Sequence, residues 1–412
     1  MRRRTVLTAA ALAAAVTVPA LPGSASAAPR PAKPYDFNGD GRSDLVVGAP
    51  IEDLSEESAA PGLVTVLYGK RTQRITRDSK GLKRLKLGRG FGTALAAADL
   101  DRDGYADLAI SDGSTGLAIL YGSRKGLGPR AVKRALPPDG YPQLLVGDFS
   151  GDRRPDLVAP SRTGFRVFAN GGRAWKDVKL SADGLYSGTA GDFDGDGRDD
   201  LIALRGSIND GASFLLRGTR KGLSAPVPLR LKNAWNGRSA DFNGDGRDDF
   251  AGGTDGGSRI QVLLSHRGGL AAPTGFDQGT PGVPGAAGGV FGSALAAGDV
   301  NGDGYADLVV SDHEESVRGK HSGMVLIVFG GRKGLRTRSV QVLTKATRGV
   351  PGSPADGDGF GRALALVDLS GDRRPELVVN SNRRLYVFAN RKGRITTKGL
   401  RNLTSPGPLL LP

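Results

Sequence analysis

The sequence predicts an all-β fold, a seven-bladed β-propeller with about four antiparallel strands per blade and calcium loops between first and second strands. Three observations carry this. An acidic loop of nine residues recurs seven times. Each copy runs directly into an apolar extended segment. Two further alternating segments and a Gly-containing turn then follow, so each repeat holds about four strands. Units of this size repeated seven times are the pattern of a propeller.

The loops come first because they fix the register of everything else. The first is Asp36-Phe37-Asn38-Gly39-Asp40-Gly41-Arg42-Ser43-Asp44, followed by Leu45-Val46-Val47-Gly48-Ala49-Pro50. The others begin at Asp99, Asp148, Asp192, Asp241, Asp299 and Asp368, at spacings of 63, 49, 44, 49, 58 and 69 residues. Side-chain oxygens fall at loop positions 1, 3, 5 and 9. In order they are Asp36, Asn38, Asp40 and Asp44; Asp99, Asp101, Asp103 and Asp107; Asp148, Ser150, Asp152 and Asp156; Asp192, Asp194, Asp196 and Asp200; Asp241, Asn243, Asp245 and Asp249; Asp299, Asn301, Asp303 and Asp307; Asp368, Ser370, Asp372 and Glu376. Position 7 adds a backbone carbonyl, from Arg42, Tyr105, Arg198, Arg247 and Tyr305 in five of them. Such a set of hard oxygens suits Ca2+. One Asn-Gly-Asp-Gly alone reads equally well as a hairpin turn; seven copies with carboxylates at fixed offsets favour the metal. An EF-hand is excluded, because its twelfth position needs a bidentate Glu and Val47, Ile110 and Ala203 stand there.

The loops differ in strength. Loops two and four carry four Asp each, and loops one, five and six exchange one Asp for Asn. Loops three and seven place Ser at position 3 and Arg153 or Arg373 at position 6, where Gly would relieve a positive φ. About five sites are expected to be occupied, with affinities of about 0.1–1 mM, adequate outside a cell. The ions would be structural fasteners; no catalytic or organic-cofactor residue is assigned.

Around each loop the strands read in order. Small residues precede it, as in 92–98 and 292–298, as an inner strand crowding a common axis requires. Apolar runs follow at 108–110 and 308–310, then third strands at 63–68, 117–121, 165–168, 214–216, 260–264, 324–329 and 385–388. The fourth strands are basic and irregular, which suits an exposed edge. The first repeat has only residues 32–35 as a possible inner strand, so the ring closes either on that piece or on a strand from residues 402–411.

The 412 residues include no Cys, so disulfides and thiol chemistry are excluded. Arg2, Arg3 and Arg4, an apolar run from Val6 to Leu21, and Ala25-Ser26-Ala27 form an export signal over residues 1–27, leaving one domain over residues 28–412. Arg3-Arg4-Thr5-Val6-Leu7 also fits twin-arginine export, and the general secretory route fits equally. The expected location is therefore extracellular. No later run would span a membrane. The net charge is +15, although 23 of the 42 acids sit at loop ligand positions. The remaining surface is strongly basic and attracts polyanions. Nucleic acid is disfavoured, since no aromatic platforms accompany the basic residues.

These residues resemble the FG-GAP repeats of the integrin α-subunit propeller and its bacterial secreted relatives. The FG element stands as Phe91-Gly92, Phe291-Gly292 and Phe360-Gly361; the GAP element is intact as Gly48-Ala49-Pro50 and is replaced by Ile110-Ser111-Asp112 and Val310-Ser311-Asp312 elsewhere. The resemblance implies calcium loops on one face and ligands on the other. It implies a binding or adhesion module; the basic exported surface points to an anionic glycan or a protein as its ligand, and a monomer is expected. A hydrolase or lyase acting on polysaccharide or phospholipid is the alternative. Long loops at 51–61, 272–290, 312–322 and 345–359 gather in one sector. There Glu52, Asp53, Glu56, Glu57, His313, Glu314, Glu315, Arg318 and His321 are expected to meet a partner. The chain has three His in all, and neither a Gly-x-Ser-x-Gly elbow nor a phosphate loop is present.

Overall fold

Strands as apolar and as short as these must bury both faces, and a ring of packed sheets does so. The computed structural model describes residues 32–49, 62–113, 115–137, 143–161, 164–169, 174–180, 187–204, 213–231, 233–254, 259–286, 289–382, 384–404 and 409–411. The proposed signal and Glu52, Asp53, Glu56 and Glu57 lie outside them. Seven four-stranded antiparallel sheets form the blades. The second blade runs Leu95–Ala98, Asp107–Ser111, Gly116–Leu120 and Ala131–Ala135 from the axis outward, and the others follow the same plan. Inner strands contact one another in an unbroken circle. The described helical content is one 3-10 turn, Lys83–Leu85.

Closure is settled by the C-terminus. Leu409–Leu411 forms the innermost strand of the first blade, pairing Val46 with Leu411, Val47 with Leu410 and Gly48 with Leu409. Residues 32–35 form no strand. They cross the loop face instead: Ala32 N–H donates to Asp99 at 3.2 Å and Lys33 Nζ reaches Asp368 at 2.5 Å.

The core is distributed among the junctions between blades. Seven apolar clusters occupy the seven junctions. Position 2 of each acidic loop supplies one wedge: Phe37, Phe149, Phe193, Phe242 and Val300 are fully buried, Leu100 nearly so, and Leu369 packs at the last junction. The FG-type Phe91, Phe291 and Phe360 are fully buried too. A loop that turns its oxygens outward is thus held from beneath by its own apolar side chain.

Candidate metal centres

In six blades the loop joins the inner strand to the second strand, and position 9 is the first residue of that second strand. In the first blade the loop precedes the second strand directly, because the inner strand comes from the far end of the chain.

A shared hydrogen-bond pattern folds each loop around its first carboxylate. In loop one, Asp36 Oδ1 accepts from Gly39 and Asp40 N–H at 2.7 and 3.1 Å, and Oδ2 accepts from Gly41 at 2.8 Å. Position 5 Oδ1 accepts from the N–H of position 7 in all seven loops, at 2.9–3.1 Å. Position 9 points inward. Asp107 accepts from Leu100 N–H at 2.9 Å and from Gly122 N–H at 2.9 Å, so it ties the loop to the end of the third strand. Asp249 and Asp307 make the same two ties, and Glu376 keeps the bond to position 2 through its longer side chain. Replacing Asp107 with Ala strands these N–H groups in a dry junction. A loss of roughly 3 kcal/mol in urea unfolding is expected.

Burial sets the electrostatics. It pushes the carboxyl of Asp107 up to about 8, with Asp101 and Asp103 adding repulsion. Burial likewise lifts Asp44, Asp156 and Asp200 to about 7, and Asp249 and Asp307 to about 6, each aided by acids of its own loop. Such a cluster is strained as an anion unless a cation sits among its oxygens.

The donor sets of loops two and four fit that cation. One carboxylate oxygen each from Asp99, Asp101 and Asp107 lie within 4.8 Å of one another, as do those of Asp192, Asp194 and Asp196. Asp101 Oδ1, Asp194 Oδ1 and Asp200 Oδ2 are buried without a hydrogen-bond donor. In loops one, five and six the position 3 oxygen is engaged: Asn38, Asn243 and Asn301 accept from the position 5 N–H at 2.8 Å. Ser150 and Ser370 lean on the position 1 carboxylate at 3.5 Å. Arg153 and Arg373 stand at φ 62° and 67° and still donate N–H to Asp148 and Asp368, so the Gly is replaced at the cost of strain without losing the turn. In loop seven a lysine, Lys33, sits on the position 1 carboxylate, whereas arginines pair with position 3 or 5 carboxylates in loops two, four, five and six. Burial would raise Asp368, but Lys33 and the N–H groups of Arg373 and Gly371 outweigh it and hold the carboxyl below its usual value.

Connections between loops were not apparent from the spacing. The position 8 N–H donates to the position 1 carbonyl of the preceding loop: Ala106 to Asp36, Asp199 to Asp148, Asp248 to Asp192, Ala306 to Asp241 and Ser43 to Asp368, at 2.9–3.1 Å. Asp199 and Asp248 return a second bond, accepting from Asp148 and Asp192 N–H at 2.7 and 3.0 Å. Loops three and seven hold Pro155 and Pro375 at position 8 and lack the donor. At the second of these gaps, Asn390 Nδ2 bridges Val300 O and Pro375 O at 2.8 and 3.1 Å. The backbone linkage therefore runs in two arcs, loops seven-one-two and three-four-five-six.

Position 7 side chains reinforce the same arcs. Tyr305 lies over Gly244, Tyr105 over Gly39, Arg247 over Gly195 and Arg198 over Gly151. A Cβ at Gly244 would sit 2.6 Å from the Tyr305 ring, whereas Gly302, at the same φ of 75°, faces open space. Loop two, which has no such neighbour, carries Arg102 at this position, at φ 60°. Gly244→Ala is expected to cost at least about 1 kcal/mol more than Gly302→Ala, since both share the backbone strain and only one adds the clash. Paired chemical melts measure the difference.

The sector expected to face a partner is partly structural. Glu315 is buried and accepts from Gln278 Nε2 at 2.6 Å and Ala286 N–H at 3.2 Å, so it braces the long loop rather than meeting a ligand. His321 Nδ1–H donates to Glu314 O, and its backbone N–H donates to Asp356. Arg318 turns a short hairpin at φ 54°. His313 is half-buried and Glu314 is exposed.

Comparison with known proteins agrees with this geometry. The FG-GAP repeat family matches residues 291–328, and the FG-GAP-like repeat family matches residues 36–110 and 148–203. Integrin alpha-IIb of Mus musculus is 32% identical over 148 residues, 29% of this chain and 14% of that protein. Phosphatidylinositol-glycan-specific phospholipase D of Mus musculus is 32% identical over 162 residues, 35% of this chain and 19% of that protein. The chain thus spans a small part of these relatives' length. A solved Agrocybe aegerita lectin, described by its recognition of non-reducing terminal N-acetylglucosamine, superposes with a TM-score of 0.54 at 16% identity, covering 89% of this chain and 91% of that one. The chain carries FG-GAP repeats and is consistent with an integrin-α-like FG-GAP propeller.

Proposed function

We propose that the protein is an exported, calcium-braced propeller that binds an extracellular polysaccharide or protein without turning it over. The observation that supports it most is the commitment of one whole face to repeated oxygen cages, with orphaned Asp101, Asp194 and Asp200 oxygens in the strongest two. Position 1, 3, 5 and 9 side chains and the position 7 carbonyl would hold Ca2+, which neutralises the buried carboxylates and clips adjacent strands. Strand alternation leaves the longer, more variable loops at the opposite end for recognition. An integrin subunit and a lectin among the similar proteins favour a binding role. The basic surface favours an anionic glycan.

One feature favours the hydrolase reading. Ser293 Oγ lies 2.8 Å from His313 Nδ1, with Glu314 3.9 Å from Nε2. The backbone beside that serine weighs against it. The N–H groups of Gly292 and Ser293 are spent on Ser311 O and Val290 O, so the adjacent backbone offers no donors to a developing oxyanion. Incubation with cell-wall and glycan fractions, with calcium or with a chelator, separates the two. Calcium-dependent retention without soluble product supports binding; release of product overturns it.

A further inference from the structure

At the end of the ring opposite the acidic loops, one large aromatic among the described residues faces solvent. Trp235 lies in the connection from the fourth blade's outer strand, Val227–Leu229, to the fifth blade's inner strand, Arg238–Ala240. It keeps 43% of its surface exposed. An indole left in water forgoes a large burial term, and its turn is not loose. Trp235 N–H donates to Gly253 O at 3.1 Å. Asn236 accepts from Gly253 N–H at 2.9 Å and donates to Gly292 O and Ser293 O at 2.9 and 3.2 Å. The indole is therefore carried on a turn pinned to the sixth blade.

Polar groups continue from that point. Ser293 holds His313, whose other nitrogen faces Glu314. Gly361, at φ 99°, brings the seventh blade against the same place: a Cβ there would lie 2.8 Å from Ser311 Cβ. The next residue, Arg362, is exposed and close enough for its charge to act on His313. Burial holds His313 below its usual value, Glu314 opposing the shift and Arg362 assisting it, which favours the neutral ring that can both donate and accept. Through Asn236 and Ser293 the turn that carries the exposed indole is thus joined to a rim offering an imidazole, a hydroxyl, a carboxylate and a guanidinium, a set that suits a ligand with one CH-rich face and a rim of hydroxyls.

We propose that Trp235, Ser293, His313, Glu314 and Arg362 form a saccharide subsite, in which a pyranose ring stacks on the indole and its hydroxyls bond to His313 and Glu314. This rests on the polysaccharide-binding reading above. The chain has two Trp, so Trp175→Phe leaves Trp235 as the sole indole reporter. Emission is titrated with chitotriose and with trigalacturonate in the presence of calcium. A saturable blue shift is expected in this background; isothermal titration calorimetry on the chain with Trp175 intact, which needs no indole reporter, should show binding weakened about tenfold or more by Trp235→Ala and less by His313→Ala, while Lys221→Glu, at a separate cavity of about 560 Å³ beside loop three, should leave it unchanged. The stronger of the two probes tells whether Arg362 selects a carboxylated sugar. If the parent binds either sugar and Trp235→Ala binds equally well, or if Lys221→Glu alone abolishes binding, the subsite is wrong and the polysaccharide reading stands. If the parent binds neither these sugars nor any fraction in the cell-wall assay, the polysaccharide reading falls and takes the subsite with it.

Discussion

A chain ending at residue 404 is expected to lose its closed ring and to melt at least about 10 °C lower, with aggregation on heating. Leu409–Leu411 is the inner strand of the first blade, joined to a second strand whose other bonds all belong to the N-terminal repeat. Without it, Val46, Val47 and Gly48 present an unpaired edge. The junction of Leu45 and Val47 with Ala365, Val367 and Val378 then holds the seventh blade to the first without backbone support from the C-terminus. Size-exclusion chromatography and circular dichroism melts of the truncated and full chains give the comparison. An unchanged monomeric melt would show that residues 32–35 or another segment closes the ring.

Calcium removal should have an effect of similar size. A site with Kd of about 0.1 mM at 2 mM calcium contributes about 1.8 kcal/mol. Five such sites give an upper sum of about 9 kcal/mol, or on the order of 10 °C in melting temperature for a chain of this length. The pH dependence has a definite sign. The position 9 carboxyls titrate higher in the folded chain, at about 6 to 8, than an unperturbed Asp at about 4. Their contribution to the metal-free fold is therefore complete below about pH 4 and is lost as pH rises through about 6 to 8. In chelator, melting temperature should rise on going from pH 8 to pH 5. In calcium the trend reverses, because protons then compete with the ion. A chelator-insensitive melt with no pH trend would deny the carboxylates this role.

The repeat was legible because its chemistry is written at fixed offsets. Carboxylates at positions 1, 5 and 9 located seven loops, and the apolar runs beyond them located second and third strands to within a residue or two. The links between loops were not legible, because each partner lies a whole blade away: Asp199 bonds to Asp148, and Tyr305 lies over Gly244. Pro155 and Pro375 were visible as residues, but their meaning depends on an N–H that other loops donate across a junction. The closing strand is three residues long, and Leu409–Leu411 alone does not distinguish a strand from a tail. Glu315 read as a loop acid free to meet a partner. Its burial follows from Gln278 and Ala286, thirty or so residues earlier, which no local pattern couples to it. Trp235 carried no signal of its own, since exposure of an aromatic depends on which junction it fails to enter.

Calcium stoichiometry tests the account most directly. Equilibrium dialysis of the full chain against 2 mM calcium, followed by elemental analysis, should give about five ions per chain. Asp101→Ala with Asp194→Ala, which removes the position 3 oxygen outright, should remove about two, while Ser150→Ala with Ser370→Ala should remove none. A chain that binds no calcium, or one in which the serine pair and the aspartate pair cost the same number of ions, would contradict it.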